Sequence, residues 1–81
     1  MPYIGTTLTI VKIGIREVVA TNVIALRRER GLTQEEVCNR AKIDPSYLWG
    51  IEKGTRNPSI EVVARLAAVY GVEPYELLMP K

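Results

Sequence analysis

The 81-residue chain has no histidine and a single cysteine, Cys38. Without histidine the usual zinc ligand sets cannot be assembled, and one cysteine excludes a disulfide framework within the chain. No stretch of about 18 apolar residues occurs, and no charged segment leads into a shorter apolar run. Membrane spanning and secretion are therefore not expected, and a cytoplasmic protein is the default. A glycine-rich phosphate loop and a nucleophile motif are also missing, which leaves little for an enzyme to work with. Repeats and low-complexity tracts are absent. The net charge is only +2, so bulk charge announces no nucleic acid. A chain of this length makes one small domain, whose core is marginal unless its helices pack closely or a partner covers apolar surface. No cofactor, metal or small-molecule effector is expected. With no room for a sensing domain, regulation should come from oligomerisation, protein level or a partner.

What is present is concentrated in residues 31 to 54, GLTQEEVCNRAKIDPSYLWGIEKG. Thr33 followed by Glu36 is a capping box, and Val37, Cys38 and Ala41 give the helix it opens an apolar side. Cys38 falls where a small packing residue is needed. Asp44-Pro45 is a second start signal, an acidic cap with proline at the first helical position. Leu48 and Ile51 turn one stripe of this second helix inward, leaving Ser46, Tyr47, Trp49, Gly50 and Lys53 to other faces. A short capped helix held across another by a tight turn is the geometry that fits a DNA major groove. Charge leans the same way. From Arg27 to Arg56 seven basic residues stand against five acidic ones, whereas after Asn57 two basic residues stand against three acidic.

Elsewhere the pattern predicts an all-α fold of five helices with an extended N-terminal arm. Residues 1–14 form the arm, where alternation over Thr7-Leu8-Thr9-Ile10 favours an extended segment or short strand. Residues 15–81 form the domain, with the motif at about 33–53. The first helix should run from Ile15 to Arg30, with Val19, Val23 and Leu26 inward and Gly31 as its stop. Ser59 caps a fourth helix that uses Ile60, Val63, Leu66, Ala67 and Tyr70 and ends at Gly71. Pro74 opens a short fifth helix with Tyr75, Leu77, Leu78 and Met79.

From Val23 to Leu78 the chain resembles the helix-turn-helix of the lambda and 434 repressor and Cro superfamily, the XRE-like regulators. The matching runs are LRRERGLTQEE, SYLWGIEKG, RNPS and VARLAAVYGVEPYELL. Within that superfamily the Asp-x-Ser-Tyr-x-x-Gly-Ile-Glu run and the RNP tail are similar to controller proteins of restriction-modification systems. The resemblance implies a sequence-specific regulator that binds a pseudo-palindromic double-stranded DNA operator as a homodimer. Antitoxin-like or adaptor proteins, which mainly bind a partner protein, are the alternative.

The resemblance also suggests roles for individual residues. Gln34, at the first turn of its helix, either meets a phosphate or is a solvated cap-region residue. Pro45, Ser46 and Tyr47 stand at the end of the recognition helix that enters the groove first. Pro45 departs from the long polar or basic residue common there, and Ser46 can bond a base or a phosphate. Tyr47 either packs on a thymine methyl or a flexible base step, or lies over the protein surface. Trp49 is open between DNA, a protein interface and cover for the preceding helix. Lys53, Thr55, Arg56 and Asn57 either track the phosphate backbone or form a solvated turn. Arg27 and Glu52 are implied to pair, holding the recognition helix at its angle. Tyr75, Leu78 and Met79 are expected at the dimer interface, since they cannot all turn inward with Leu77 on so short an element. Leu8, Ile10 and Ile13 of the arm are the other route to a dimer.

Overall fold

The computed structural model describes residues 14–80. Four α-helices follow one another: α1 (Ile15–Glu29), α2 (Gln34–Ala41), α3 (Pro45–Lys53) and α4 (Ile60–Tyr70). A 3₁₀ helix over Pro74–Leu77 completes the order, and no strand occurs among the described residues. The arm expected over residues 1–14 lies outside the described residues except for Gly14. So do the period-two signal at Thr7 to Ile10 and the pairing candidates Leu8, Ile10 and Ile13.

Local chemistry starts and stops the helices. Thr33 Oγ1 accepts the Glu36 N–H at 3.1 Å, while the Glu36 carboxylate accepts the Thr33 N–H at 2.9 Å. Ser59 Oγ accepts the Val62 N–H at 3.1 Å and starts α4. At the end of α3, Gly54 adopts φ 77°, which lets Thr55 N–H reach the Gly50 carbonyl at 2.9 Å. This αL closure satisfies carbonyls that the helix would otherwise leave open. The end of α2 has no glycine. Lys42 takes φ 59° instead, a left-handed conformation that costs an L-residue about 1 kcal/mol. That strain keeps the link between α2 and α3 to three residues, Lys42, Ile43 and Asp44.

One apolar cluster joins all four helices. Val23 from α1, Val37 from α2, Leu48 and Ile51 from α3 and Leu66 from α4 are at most 1% exposed. Leu77 of the 3₁₀ helix closes the cluster from below. The Tyr70 ring belongs to it, yet its hydroxyl has no hydrogen-bond partner among the described residues. Burial pushes that hydroxyl well above the usual tyrosine pKa, so it stays neutral.

Three sequence expectations need correction. The fifth helix is not an α-helix: its four residues form a 3₁₀ turn. Its own bonds are of the i→i+3 kind, Glu76 N–H to the Glu73 carbonyl and Leu78 N–H to the Tyr75 carbonyl, and Pro80 has no N–H with which to continue an α-helix through the Glu76 carbonyl. Asn22, a buried α1 residue, ties this turn to the core: its amide Nδ2 donates to the carbonyls of Glu76 (3.2 Å), Leu77 (2.9 Å) and Met79 (2.9 Å). Ile60 does not face the core but is 88% exposed. As the first residue of α4 it lies beyond the edge of the packed helices. Asp44 occupies the N-cap position of α3, but its carboxylate accepts the Ser46 hydroxyl instead of a backbone N–H.

Asn22→Ala should cost about 2 kcal/mol, because three carbonyls lose their donor. Chemical denaturation measures the loss, and hydrogen exchange should show residues 74–79 opening first. The capping box makes a pH-dependent prediction. The Thr33 backbone N–H, followed by its side chain, holds the Glu36 carboxyl below the usual range. A lowered folded pKa stabilises above the unfolded value and is lost as pH falls through the folded one. Glu36→Gln should therefore flatten the acid limb of the melting curve below the ordinary carboxylate pKa.

Candidate nucleic-acid interface

The angle of α3 is set by a carboxylate. Glu52, on its inner side and only 9% exposed, receives Arg27 Nε at 2.8 Å and Arg27 Nη2 at 3.1 Å. The third arm of the same guanidinium, Nη1, donates to the Leu32 carbonyl at 3.1 Å. Gln34 Nε2 adds a further donor to Glu52 Oε1 at 2.9 Å. Three segments thus meet on one side chain: α1, the start of α2 and the last turn of α3. The bond to Glu52 raises the Arg27 pKa further and keeps it charged. A planar fork on a carboxylate fixes direction as well as distance, which a lysine could not do. Gln34 stands at the first turn of α2, where the phosphate expectation placed it, with one amide hydrogen already given to Glu52.

The other side of α3 is open. At 100° per residue, Ser46, Gly50 and Lys53 project within about 60° of arc roughly opposite the core stripe, with Gly50 itself buried and Trp49 bordering them. Trp49 is 56% exposed, and Lys53 Nζ lies 4.2 Å from the centre of its ring. The indole therefore keeps more than half of its surface in solvent. It extends the outward surface beneath a cation held by its π-face. Ser46 is exposed, and its hydroxyl donates to the Asp44 carboxylate. Pro45 is exposed at the tip.

The turn after α3 is more tightly built than a solvated linker. Tyr47 Oη donates to the Asn57 carbonyl and accepts the Ser59 N–H, both at 3.0 Å. The Asn57 side chain accepts Arg16 Nε from α1. Thr55 Oγ1 donates to the Gly50 carbonyl at 3.3 Å. Arg56 lies over the Tyr47 ring, 5.1 Å from its centre. Of the residues singled out by sequence, Tyr47, Arg56 and Asn57 thus form one group, Trp49 and Lys53 a second, and Gln34 joins Arg27 and Glu52 in a third. Asn22, Arg16 and the tie from Ser59 went unrecognised. Each acts across more than ten residues of chain, and a window of local sequence carries no signal for such partners.

Cations outnumber their partners here. Among the described residues only two ion pairs form, Arg27 with Glu52 and Arg30 with Glu29. Arg40, Lys42, Lys53 and Arg56 are left without a carboxylate on and around the motif. No cluster of metal-ligating side chains occurs among the described residues, and no described helix is long and apolar enough to cross a membrane.

A helix clamped across its predecessor through a three-residue turn, with a polar and cationic outer face, defines a helix-turn-helix DNA-binding domain. Comparison with known proteins agrees: residues 24–78 match the family described as "Helix-turn-helix domain", and the chain belongs to that family. An uncharacterized HTH-type transcriptional regulator, y4dJ of Sinorhizobium fredii, is 44% identical over 82% of this chain and 86% of its own length. Two solved structures share the architecture. The hypothetical transcription factor NHTF from Neisseria superposes with a TM-score of 0.79 at 31% identity, over 83% of this chain and 77% of that one. The restriction-modification controller protein C.AhdI from Aeromonas hydrophila gives 0.73 at 34% identity, over 76% and 94%. These are XRE-type DNA-binding regulators, a class without enzymatic activity.

Glu52→Ala should cost about 3 kcal/mol, since it leaves the Arg27 guanidinium without its anion in a half-buried site. Glu52→Gln, which keeps a hydrogen-bond acceptor, should lose less. Urea denaturation of the two variants checks the order, and a reversed order would mean that packing rather than charge holds α3.

Proposed function

We propose that the protein is a sequence-specific transcriptional regulator that binds a pseudo-palindromic double-stranded DNA operator as a homodimer, with α3 in the major groove. The observation that carries this reading is the outward face of α3: exposed, polar and cationic, on a helix that Glu52 prevents from tilting. Ser46 supplies base-edge or phosphate contact at the leading end, beside the apolar surface of Pro45. Lys53 and Arg56, which pair with no carboxylate among the described residues, follow the strand and set register. The 34% identity to C.AhdI over nearly its whole length supports a controller role at the protein's own promoter. A restriction endonuclease gene beside this one is the observation that checks that role.

A single domain of this size reads a short half-site, too little to discriminate within a genome, so two copies read half-sites about 34 Å apart. The surface we assign to pairing holds Tyr75 (59% exposed), Leu78 (41%) and Met79 (54%). Next to it runs an apolar groove of about 380 Å³, bordered by Ile15, Ile60, Pro74 and Leu78. Apolar surface of this kind on a small domain is costly to leave in water. A two-fold axis through it is isologous and turns both copies of α3 to one side.

Binding to duplex DNA should weaken steeply as salt rises from about 50 to about 200 mM, with a log–log slope near −0.9 per phosphate neutralised. Fluorescence anisotropy reads this directly, and a flat response would remove the DNA-binding reading. Ser46→Ala should lower affinity for the operator more than for random duplex. Leu78→Glu should shift sedimentation towards monomer and reduce operator affinity at the same time. A dimer unchanged by that charge would place the interface elsewhere.

A further inference from the structure

Among the described residues the large apolar side chains left exposed are Ile15, Trp49, Ile60, Tyr75, Leu78 and Met79. Ile15, Ile60 and Leu78 border the apolar groove, and Tyr75 and Met79 lie on the surface assigned to pairing. Trp49 alone stands on the motif, 56% exposed. It is not isolated there. Pro45, also exposed, precedes it by four residues on the same side of α3, and a helical side chain leans back towards the N-terminal turn. The indole therefore continues the apolar surface of Pro45 along the leading half of the helix. Behind it, Lys53 Nζ sits 4.2 Å from the ring centre and takes up one face, leaving the ring edge and the other face open. The neighbouring position, Gly50, is covered by the aliphatic stem of Arg56, which lies where a Cβ would stand. Apolar surface thus makes up much of what α3 shows at its leading end, beside the Ser46 hydroxyl.

Resting on the DNA-binding reading above, we propose that Pro45 and Trp49 form a methyl-reading surface, so that operator binding responds to methylation of cytosine at C5. The floor of the major groove is made of hydrogen-bond donors and acceptors with one apolar exception, the C5-methyl of thymine. The indole N–H can meet an acceptor or water, but the ring carbons and the proline ring cannot. Placed against bare donors and acceptors, they would strip water from polar groups and return no bond. Placed against a methyl, they bury apolar area from both sides. Thymine and 5-methylcytosine carry this methyl on the same ring carbon, and it projects into the groove in the same direction. A surface that detects the methyl by contact therefore gains from either base, while cytosine and uracil present a bare C5–H. Methylation of a cytosine at the read position converts a poor half-site into a better one without changing its sequence.

Duplexes enriched from a random-sequence pool on the full-length wild-type chain supply the binding sequence. Deoxyuridine then replaces each thymine in turn, which keeps the pairing and removes only the methyl. At one thymine in each half-site, affinity should fall about fourfold per methyl removed, the worth of one buried methyl-sized group. With C·G placed at that position, 5-methylcytosine should bind about fourfold more tightly than cytosine. Trp49→Ala should abolish both differences with a melting temperature close to wild type, and Trp49→Phe, which keeps an aromatic ring, should retain part of them. Trp49 is the only tryptophan, so its emission reports the contact directly. Operator binding should change that emission, and uracil at the read position should diminish the change. The proposal is overturned if uracil is tolerated at every thymine of the enriched sequence, a comparison that uses the wild-type chain alone. It is equally overturned if Trp49→Ala keeps the methyl preference, or if emission is unchanged on bound operator. The regulator reading survives all three results. A wild-type pool that enriches no sequence overturns that reading and the proposal together.

Discussion

The carboxylate of Glu52 is the point on which the rest of the domain depends. It accepts hydrogen bonds from Arg27 on α1 and Gln34 on α2 while belonging to α3. Apolar packing through Leu48 and Ile51 brings α3 against the core, but dispersion and burial are non-directional and tolerate rotation of a short helix. A forked guanidinium on a carboxylate does not. A nine-residue helix has too few core contacts to fix both its angle and its rotation, so the ion pair supplies the missing constraint. The arrangement also explains why a charged residue can be buried here, since Glu52 has lost water but gained three donors.

A second constraint works at the far end of the chain. Asn22 is as buried as the leucines around it, yet its amide gathers three carbonyls of the C-terminal segment. This holds the 3₁₀ turn of residues 74–77 against α1, with Leu77 in the core and Tyr75, Leu78 and Met79 outside. The side of the molecule assigned to pairing is therefore shaped by one polar residue on α1. Glu52 orients the surface assigned to DNA, and Asn22 orients the surface assigned to the second copy. Both act through buried hydrogen bonds, which are costly to leave incomplete.

Local signals and long-range ones differ sharply in how well they could be read. The capping box of Thr33 and Glu36, the Ser59 cap and the glycine at the end of α3 involve atoms within six residues of each other, and their residue types have few other uses. Inward stripes such as Val19-Val23-Leu26 and Leu48-Ile51 follow from helical period alone. Those rules failed where a group had found another partner or had no neighbour to pack against. Asp44 has the chemistry of a cap but spends it on Ser46. Ile60 has the spacing of a core residue but stands past the edge of its neighbours. Pro74 opens a helix that stays a four-residue 3₁₀ turn, held in place by Asn22 more than fifty residues earlier.

By itself the sequence determined the four helices, the Thr33 and Ser59 caps, most of the apolar stripes and membership of the helix-turn-helix family, because each rests on spacing and local hydrogen bonding. Only the tertiary structure decided which polar groups are already engaged and which stay free for a partner. Tyr47 and Asn57 look equally available in the sequence, yet their bonds to each other, to Ser59 and to Arg16 make them part of the turn. Gly50 looks like a weak point in a helix until Arg56 is found lying across it. Such assignments depend on which side chains meet after the chain has folded. Residue type states what a group can bond to, and three-dimensional packing states what it has left.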